Sequence, residues 1–333
     1  MKKTIKIFTM VLIASLLFVA GCGSSSAGAG SPAAETSGAE AGPGKIKIGV
    51  LKIADSFPLY VAEKEGLFQE QGLDVEIVDF QSASDQSVAY EAGELDGLMT
   101  DMIVQSLINK SAQGREMKAV DMALGGSKEE GRFLVVSSPD GSISEAKDLE
   151  GARIGISENT MMEYLVVSYL TDLGVDVEKV NLINIPKLTL RLDAVIEGSD
   201  LDAAILPDPL AIEAVNRGCI TVIDDTQLDK NYSQSVVTLS REVIEEYPDA
   251  AAAFVKAYDE AIEKINEDPE SFEELFAEKA NVADPLKGKY TVPHYTSACL
   301  PSQEEVASLQ NWMVSKGLLD SEYDYEDICI DLH

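Results

Sequence analysis

The sequence predicts an α/β protein of two similar lobes, each built on a parallel-type sheet, joined by two hinge crossings. Three observations carry that prediction. Strand-like and helix-like stretches alternate from Lys45 onward, and the alternation recurs about a hundred residues later with matched spacing. Two apolar runs, Phe133 to Ser137 and Ser235 to Ser240, bracket the second copy.

Ile46, Ile48 and Val50 alternate with Lys45, Lys47 and Gly49, the period of two that marks an opening strand. Pro58 stands in the first turn of a helical stretch that Gly66 stops; proline fits the first turn and glycine the left-handed exit. Leu73 to Phe80 follows as a strand, Asp85 to Ala92 as a short helix, Leu95 to Thr100 as a strand and Met102 to Ala112 as a helix. This βαβαβ order calls for a parallel sheet with right-handed crossovers.

The second copy runs through a strand at Arg153 to Ile156, a helix at Met161 to Leu173 and a strand at Val180 to Ile185. A helix at Leu188 to Glu197 and a strand at Leu201 to Leu206 complete it. Gly49 to Asp96 spans 47 positions and so does Gly155 to Asp202; Gly93 to Asp101 (GELDGLMTD) parallels Gly198 to Asp208 (GSDLDAAILPD). Asp96 and Asp202 open strands, at the end away from a cleft, and read as structural.

The two apolar runs are expected to carry the chain out of lobe one and back. Helices then follow at Asp249 to Asn266, Pro269 to Lys279 and Glu304 to Lys316, the last opened by the capping box Ser302-Gln303-Glu304-Glu305. Residues 45–133 and 240–333 are therefore assigned to lobe one, and 134–239 to lobe two with its hinge strands. Two lobes on a hinge make a cleft.

The chain has 58 acidic and 26 basic residues among 333, a formal net charge of -32. No basic block follows the first six residues, which excludes nucleic acid as a partner. Lys2, Lys3 and Lys6 precede an uncharged, mostly apolar run of 14 residues, Ile7 to Ala20, too short to span a bilayer as a settled helix. Residues 1–21 read as a signal peptide. Its end, Val19-Ala20-Gly21-Cys22, resembles the lipobox of bacterial lipoproteins, which implies cleavage before Cys22 and a diacylglyceryl group on its thiol. Removing residues 1–21 takes away three lysines and no acid, so the net charge moves from -32 to -35.

Gly23 to Gly44 holds six Gly, six Ala, five Ser and two Pro in 22 positions, which cannot build a core. With Cys22 it forms a tether with a reach of about 25 Å. Cys299 and Cys329 bracket the C-terminal helix and could pair, or all of Cys219, Cys299 and Cys329 stay reduced. The histidines are His294 and His333, and there is no CxxC; no metal or cofactor is expected. Nor is there a GxSxG elbow, HExxH or P-loop.

From Ile48 the sequence, with PLYVAEKEGLF followed by GLDVEIV, resembles solute-binding proteins of bacterial ABC importers of the nitrate, sulfonate, taurine and thiamine-precursor type. GELDGLMTD, AKDLEGARIGIS, LDAAILPDPLA and WMVSKGLLDSEYDYED extend the likeness from about Lys45 to Asp327. The resemblance implies a type II periplasmic-binding-protein fold, a ligand between the lobes, closure on binding and delivery to a membrane permease. A monomer anchored by lipid outside the cytoplasm is the expected form. A pyrimidine synthase of thiamine biosynthesis shares the implied fold; an enzyme of that kind, or a ligand sensor, is the minor alternative.

In parallel sheets ligands bind beyond the carboxyl ends of the strands. That rule selects Asp55, Ser56 and Phe57, then Gln81 and Ser82, then Thr100 and Asp101. The second copy adds Glu158, Asn159, Thr160, Pro186, Lys187 and Asp208, and the return crossing adds Gln234. Thr160, Ser82 and Asp208 read equally as helix caps. Arg132, beside Glu129 and Glu130, reads as a solvated loop charge, whereas Tyr290 and His294 occupy a loop that could line the cleft. The acids crowding these loops favour a neutral or amine-bearing heterocycle stacked near Phe57 and hydrogen-bonded by Gln81, Asn159 and Gln234. A sulfonate, taurine or nitrate-type anion held by helix N-termini is the alternative.

Overall fold

A computed structural model describes residues 44–111, 115–130 and 132–333; the expected signal peptide, Cys22 and the tether up to residue 43 lie outside the described residues. The strands are β1 (Lys45–Leu51), β2 (Asp74–Phe80), β3 (Gly97–Asp101), β4 (Met117–Leu124) and β5 (Phe133–Ser137). They continue as β6 (Arg153–Ile156), β7 (Asn181–Asn184), β8 (Ala203–Pro207), β9 (Ile220–Asp224) and β10 (Ser235–Ser240). The helices are α1 (Phe57–Glu65), α2 (Leu67–Glu70), α3 (Ala83–Glu91), α4 (Met102–Ser111), α5 (Met161–Asp172) and α6 (Leu188–Glu197). After them come α7 (Leu210–Asn216), α8 (Arg241–Glu246), α9 (Pro248–Glu267), α10 (Glu273–Lys279), α11 (Gln303–Ser315) and α12 (Tyr325–Ile328).

Two five-stranded sheets result, in the orders β2-β1-β3-β10-β4 and β7-β6-β8-β5-β9. Parallel pairing joins β1 to β2 and β3, and β6 to β7 and β8. The strands of each βαβαβ copy are thus parallel as expected, while the crossing strands add the opposite sense: β10 runs antiparallel to β3 and β4, and β5 antiparallel to β8 and β9, so both sheets are mixed. These two strands enter directly from the other sheet instead of through a crossover helix, so they thread their sheets in the opposite sense. Each lies wholly within one sheet, and the chain passes between sheets after Leu124 and again after Asp224. Strands β4 and β9 and helices α7 and α8 were not anticipated by the sequence reading.

The repeat has a structural counterpart. Asp96 Oδ2 accepts the Lys47 N–H at 2.8 Å, and Asp202 Oδ2 accepts the Arg153 N–H at 2.7 Å. Both carboxylates thus clip the beginning of the strand that opens their copy of the repeat, β1 or β6, at the end away from the cleft. Helix α1 ends where Gly66 takes φ 77°, a conformation that a Cβ would strain. The capping box at Ser302 and Glu305 forms in both directions. Helix α9 lays Phe254 flat on Phe68 at 5.3 Å between centroids, which returns the C-terminal helices to the first sheet. Cys219, Cys299 and Cys329 are free thiols. Among the described residues no helix is long and apolar enough to cross a membrane.

Candidate functional site

The carboxyl ends of β1, β3, β6 and β8 face one another across a gap between the sheets, and β5 and β10 begin at the same level. A cavity of about 50 Å³ lies there, walled by Leu51, Ile53, Asp55, Gln86, Met99, Thr100 and Asp101 from the first sheet's side. Ser157, Thr160, Met161, Met162, Pro186, Leu188 and Arg191 wall the other side, with Phe133 and Ser235 at the crossings. Two wider openings flank it. One, of about 760 Å³, holds Asp55, Glu130, Arg132, Asp208 and Tyr290; the other, of about 450 Å³, holds Glu158, Asn159, Thr160, Asn184 and Pro186.

Asp101 ties the two walls together. Its Oδ1 accepts the N–H groups of Ile103 and Val104 at 2.9 Å, capping α4, and its Oδ2 accepts the Met161 N–H at 3.1 Å in the first turn of α5. One carboxylate therefore neutralises the positive ends of two helices that belong to different sheets. At one opening the Tyr290 hydroxyl donates to Asp208 Oδ2 at 3.1 Å. At the other, Lys316 pairs with Glu163 and donates to Asn159 Oδ1 at 3.2 Å.

The structure brings Thr100, Asp101 and Thr160 to the cavity, Glu158 and Asn159 to one opening, and Asp208 to the other. Thr160 also caps α5 through the Met162 N–H, and Asn159 holds φ 58°. Gln234 sits in a separate depression with Tyr232 and Ser302, donating to Glu305 Oε1 at 2.8 Å. Ser56, Phe57, Gln81, Ser82 and Lys187 line neither the cavity nor its openings. Ser56 turns its hydroxyl back to the Leu51 carbonyl at 2.7 Å, and Ser82 caps α3 at Asp85. Gln81 and Lys187 are exposed.

Phe57 corrects the expectation of a stacking platform. Its side chain is fully buried and meets Phe276 edge-on at 4.9 Å, so both of its faces are spent in the core. Phe276 in turn stacks on Tyr290 at 5.4 Å, so this aromatic column positions the hydroxyl that reaches Asp208. Arg132 is not a solvated loop charge either: its Nε and Nη2 lie 2.6 and 2.5 Å from Asp208 Oδ2. Asp208 thus carries an ion pair that its place before Pro209 at the start of α7 did not suggest. His294, at 3.3 Å from Glu130 and largely exposed, stands outside the cavity lining.

Gln86 and Arg191 escaped the sequence reading, because a polar residue on an amphipathic helix defaults to solvent. Both are completely buried. The available signal was the small residue beneath each: Gly49 and Gly155, which stand 106 positions apart in the repeat.

Among the charged residues lining the cavity and its two openings, seven acids face four bases. Burial pushes the Asp55 carboxyl up, with Ser235 offsetting part of the shift, and pushes Asp101 up against the N–H groups that hold it. Burial likewise raises Asp208 despite Arg132 and Tyr290. Arg191 is lowered to about 9 by burial alone, which still leaves it cationic at neutral pH.

Among the described residues one group could hold a metal. Ligand atoms of Asp121, Asp259 and His333 lie within 4.8 Å of one another. The geometry is that of an ion pair: His333 Nε2 is 3.2 Å from Asp121, and its pKa is raised to about 9, so the imidazole keeps both protons and offers no lone pair. Asp121 Oδ1 is occupied by the Met122 and Cys299 N–H groups.

The sequence matches the NMT1-like family over residues 39–278. A protein of Brachyspira hyodysenteriae, named for ABC transporter periplasmic binding, is 28% identical over 290 residues, covering 81% of this chain and 76% of that one. An aliphatic-sulfonates-binding protein by name, from Bacillus subtilis strain 168, is 23% identical over 258 residues, covering 76% and 72%. Among solved structures, the alkanesulfonate-binding protein SsuA of Xanthomonas axonopodis pv. citri bound to MOPS superposes with a TM-score of 0.72 at 14% identity, over 88% of this chain and 100% of that one. The fold is shared with that protein.

Proposed function

We propose, for a chain that belongs to the NMT1-like family, the role of extracytoplasmic solute-binding component of an ABC importer. It captures a small organic solute between two lobes and hands it to a membrane permease. The observation that carries this reading is the buried cavity at the facing carboxyl ends of two repeated sheets, mostly apolar but set with a few polar groups and closed over by Asp101 and Met161. The names of the Brachyspira and Bacillus relatives support it.

The lobes are divided after Leu124 and again after Asp224, where the chain passes between sheets, and these crossings supply the hinge. The protein works as a binding module and not as a catalyst, as a monomer anchored through lipid on Cys22. The buried Asp55 favours a solute that carries an amine or another hydrogen-bond donor, while Phe57, inside the core, offers no face for a flat heterocycle.

Mass spectrometry of small molecules released by denaturing the purified protein tests the role. A solute present in a one-to-one ratio, which at a hundredfold excess over its dissociation constant stabilises the fold by about 2.7 kcal/mol, is the expected result. A protein that neither retains nor is stabilised by any solute, and whose neighbouring genes encode no permease, would contradict it.

A further inference from the structure

Gln86 and Arg191 occupy matching places in the two copies of the repeat. Gln86, on α3, crosses Gly49 of β1 so closely that a Cβ there would stand 3.2 Å from its Cγ. Arg191, on α6, crosses Gly155 of β6, where a Cβ would stand 3.1 Å from its Cγ. Over each glycine a leucine, Leu95 or Leu201, packs nearest, and beside it one long side chain runs, fully buried, from a helix to the wall of the same cavity.

Their hydrogen bonding is incomplete in complementary ways. Gln86 Nε2 donates to the carbonyls of Gly49 and Met99 at 2.7 and 2.8 Å, which leaves Oε1 without a partner among the described residues. Arg191 Nη1 donates to the Ile185 carbonyl at 3.0 Å, whereas Nε and Nη2 have none. Nε and Nη2 form one edge of the guanidinium, a planar fork whose two parallel N–H groups fit two coplanar oxygens. Arg191 is the sole Lys or Arg in the cavity wall, and a buried, unpaired cation is costly unless an anion meets it.

The opposite wall limits what that anion can be. Gln86 Oε1 is an acceptor, Asp55 is an acid, and the Asp101 oxygens already receive three N–H groups. Only the unpartnered Thr100 hydroxyl adds a donor on that side. A tetrahedral anion would turn its third oxygen toward acceptors, whereas a planar carboxylate puts both oxygens on the fork and none on that wall. An amine or hydroxyl beside the carboxylate would then answer Gln86 Oε1.

We propose that the side-on fork of Arg191 anchors the carboxylate of a small amino or hydroxy acid, with Gln86 accepting from the ligand's amine or hydroxyl. This rests on the reading of the cleft as a solute site, and it names a ligand class different from those of the sulfonate-binding relatives.

Thermal-shift and calorimetric titration of the full mature protein tests it with a panel of the proteinogenic amino acids, glycolate, lactate, taurine, methanesulfonate and 4-aminopyrimidine. At least one carboxylate is expected to raise the melting temperature of wild type. Arg191→Met is expected to weaken that binding by on the order of a hundredfold while melting no lower than wild type in the absence of ligand, because it removes an unpaired buried charge. Arg191→Lys, which keeps charge but loses the fork, should restore only part of the affinity. Binding of a sulfonate or the pyrimidine with no carboxylate bound, or carboxylate binding unchanged in Arg191→Met, overturns this assignment and leaves the solute-binding role intact. A wild type that binds nothing in the panel and releases no carboxylate on denaturation overturns it too; the broader role falls with it only if no solute at all is retained or stabilises the protein and no permease is encoded beside it.

Discussion

The carboxylate of Asp101 and the backbone N–H of Met161 meet at 3.1 Å across the cleft, so the start of α5 is capped in part by a residue of the opposite lobe. This contact exists only while the lobes are together. Asp101→Ala should therefore both uncap α4, costing about 1 kcal/mol, and shift the protein toward a more open form. Small-angle scattering of the ligand-free variant is expected to give a larger radius of gyration than wild type; an unchanged radius would mean that the contact does not hold the lobes.

Burial raises the Asp55 carboxyl, so ionising it costs the folded protein more than the unfolded chain. Its contribution to stability is full below the unfolded value of about 4 and is lost as pH rises through the folded one. Asp55→Asn keeps the shape without the charge. Its melting temperature should exceed that of wild type at pH 7, and the difference should shrink toward pH 4; a difference independent of pH would assign the effect to packing.

Arg132 and Asp208 form the ion pair at the wider opening. Arg132→Met leaves a buried carboxylate with only the Tyr290 hydroxyl, at an expected cost of about 2 kcal/mol given the partial exposure of the arginine. Adding Asp208→Asn should recover part of that loss in urea unfolding. No recovery would show that Arg132 acts through its apolar stem.

His333 is raised to about 9, chiefly by its hydrogen bond to Asp121. Stability from this pairing is complete below about 6.5 and is lost as pH rises through about 9. His333→Ala should cost about 1 kcal/mol at pH 6, with the two stability curves converging above pH 10. Parallel curves across that window would remove the imidazolium from the account.

Cys22→Ser tests the anchor. Intact-mass analysis should find a diacylglyceryl adduct on wild type and none on the variant, which is expected to leave the membrane fraction with its melting temperature unchanged. A wild-type protein cleaved elsewhere and unmodified would refute the lipobox reading.

The repeat was legible because its markers are local. Gly49, Gly155, Asp96 and Asp202 keep their spacing whatever the strands pair with, and the structure gives both aspartates the same task. Strand direction was not legible: Ser235 to Ser240 has the same apolar pattern whether parallel or antiparallel, and only the route of the chain decides. Met117 to Leu124 was passed over because Asp121 interrupts its apolar run, yet that carboxylate is buried against His333. At the site, loop position found Thr100, Asp101 and Thr160 but missed Gln86 and Arg191, which reach the cavity from helix positions over a glycine. Phe57 misled because loop aromatics suggest stacking, whereas here the ring completes the core beside Phe276.

The place of β10, inserted between β3 and β4, governs the order in which the protein can assemble. Thr238 bonds to Leu98, 140 positions earlier in the chain, and the stretch between them includes the whole second sheet. A chain emerging amino terminus first therefore presents β3 and β4 with unpaired edges until residue 240 has appeared, while the second sheet, contiguous from 133 to 224, can close on itself. The later-starting lobe is thus poised to finish first, and the exposed edges of β3 and β4 make the incomplete first lobe the segment most in need of protection while the chain is still being completed.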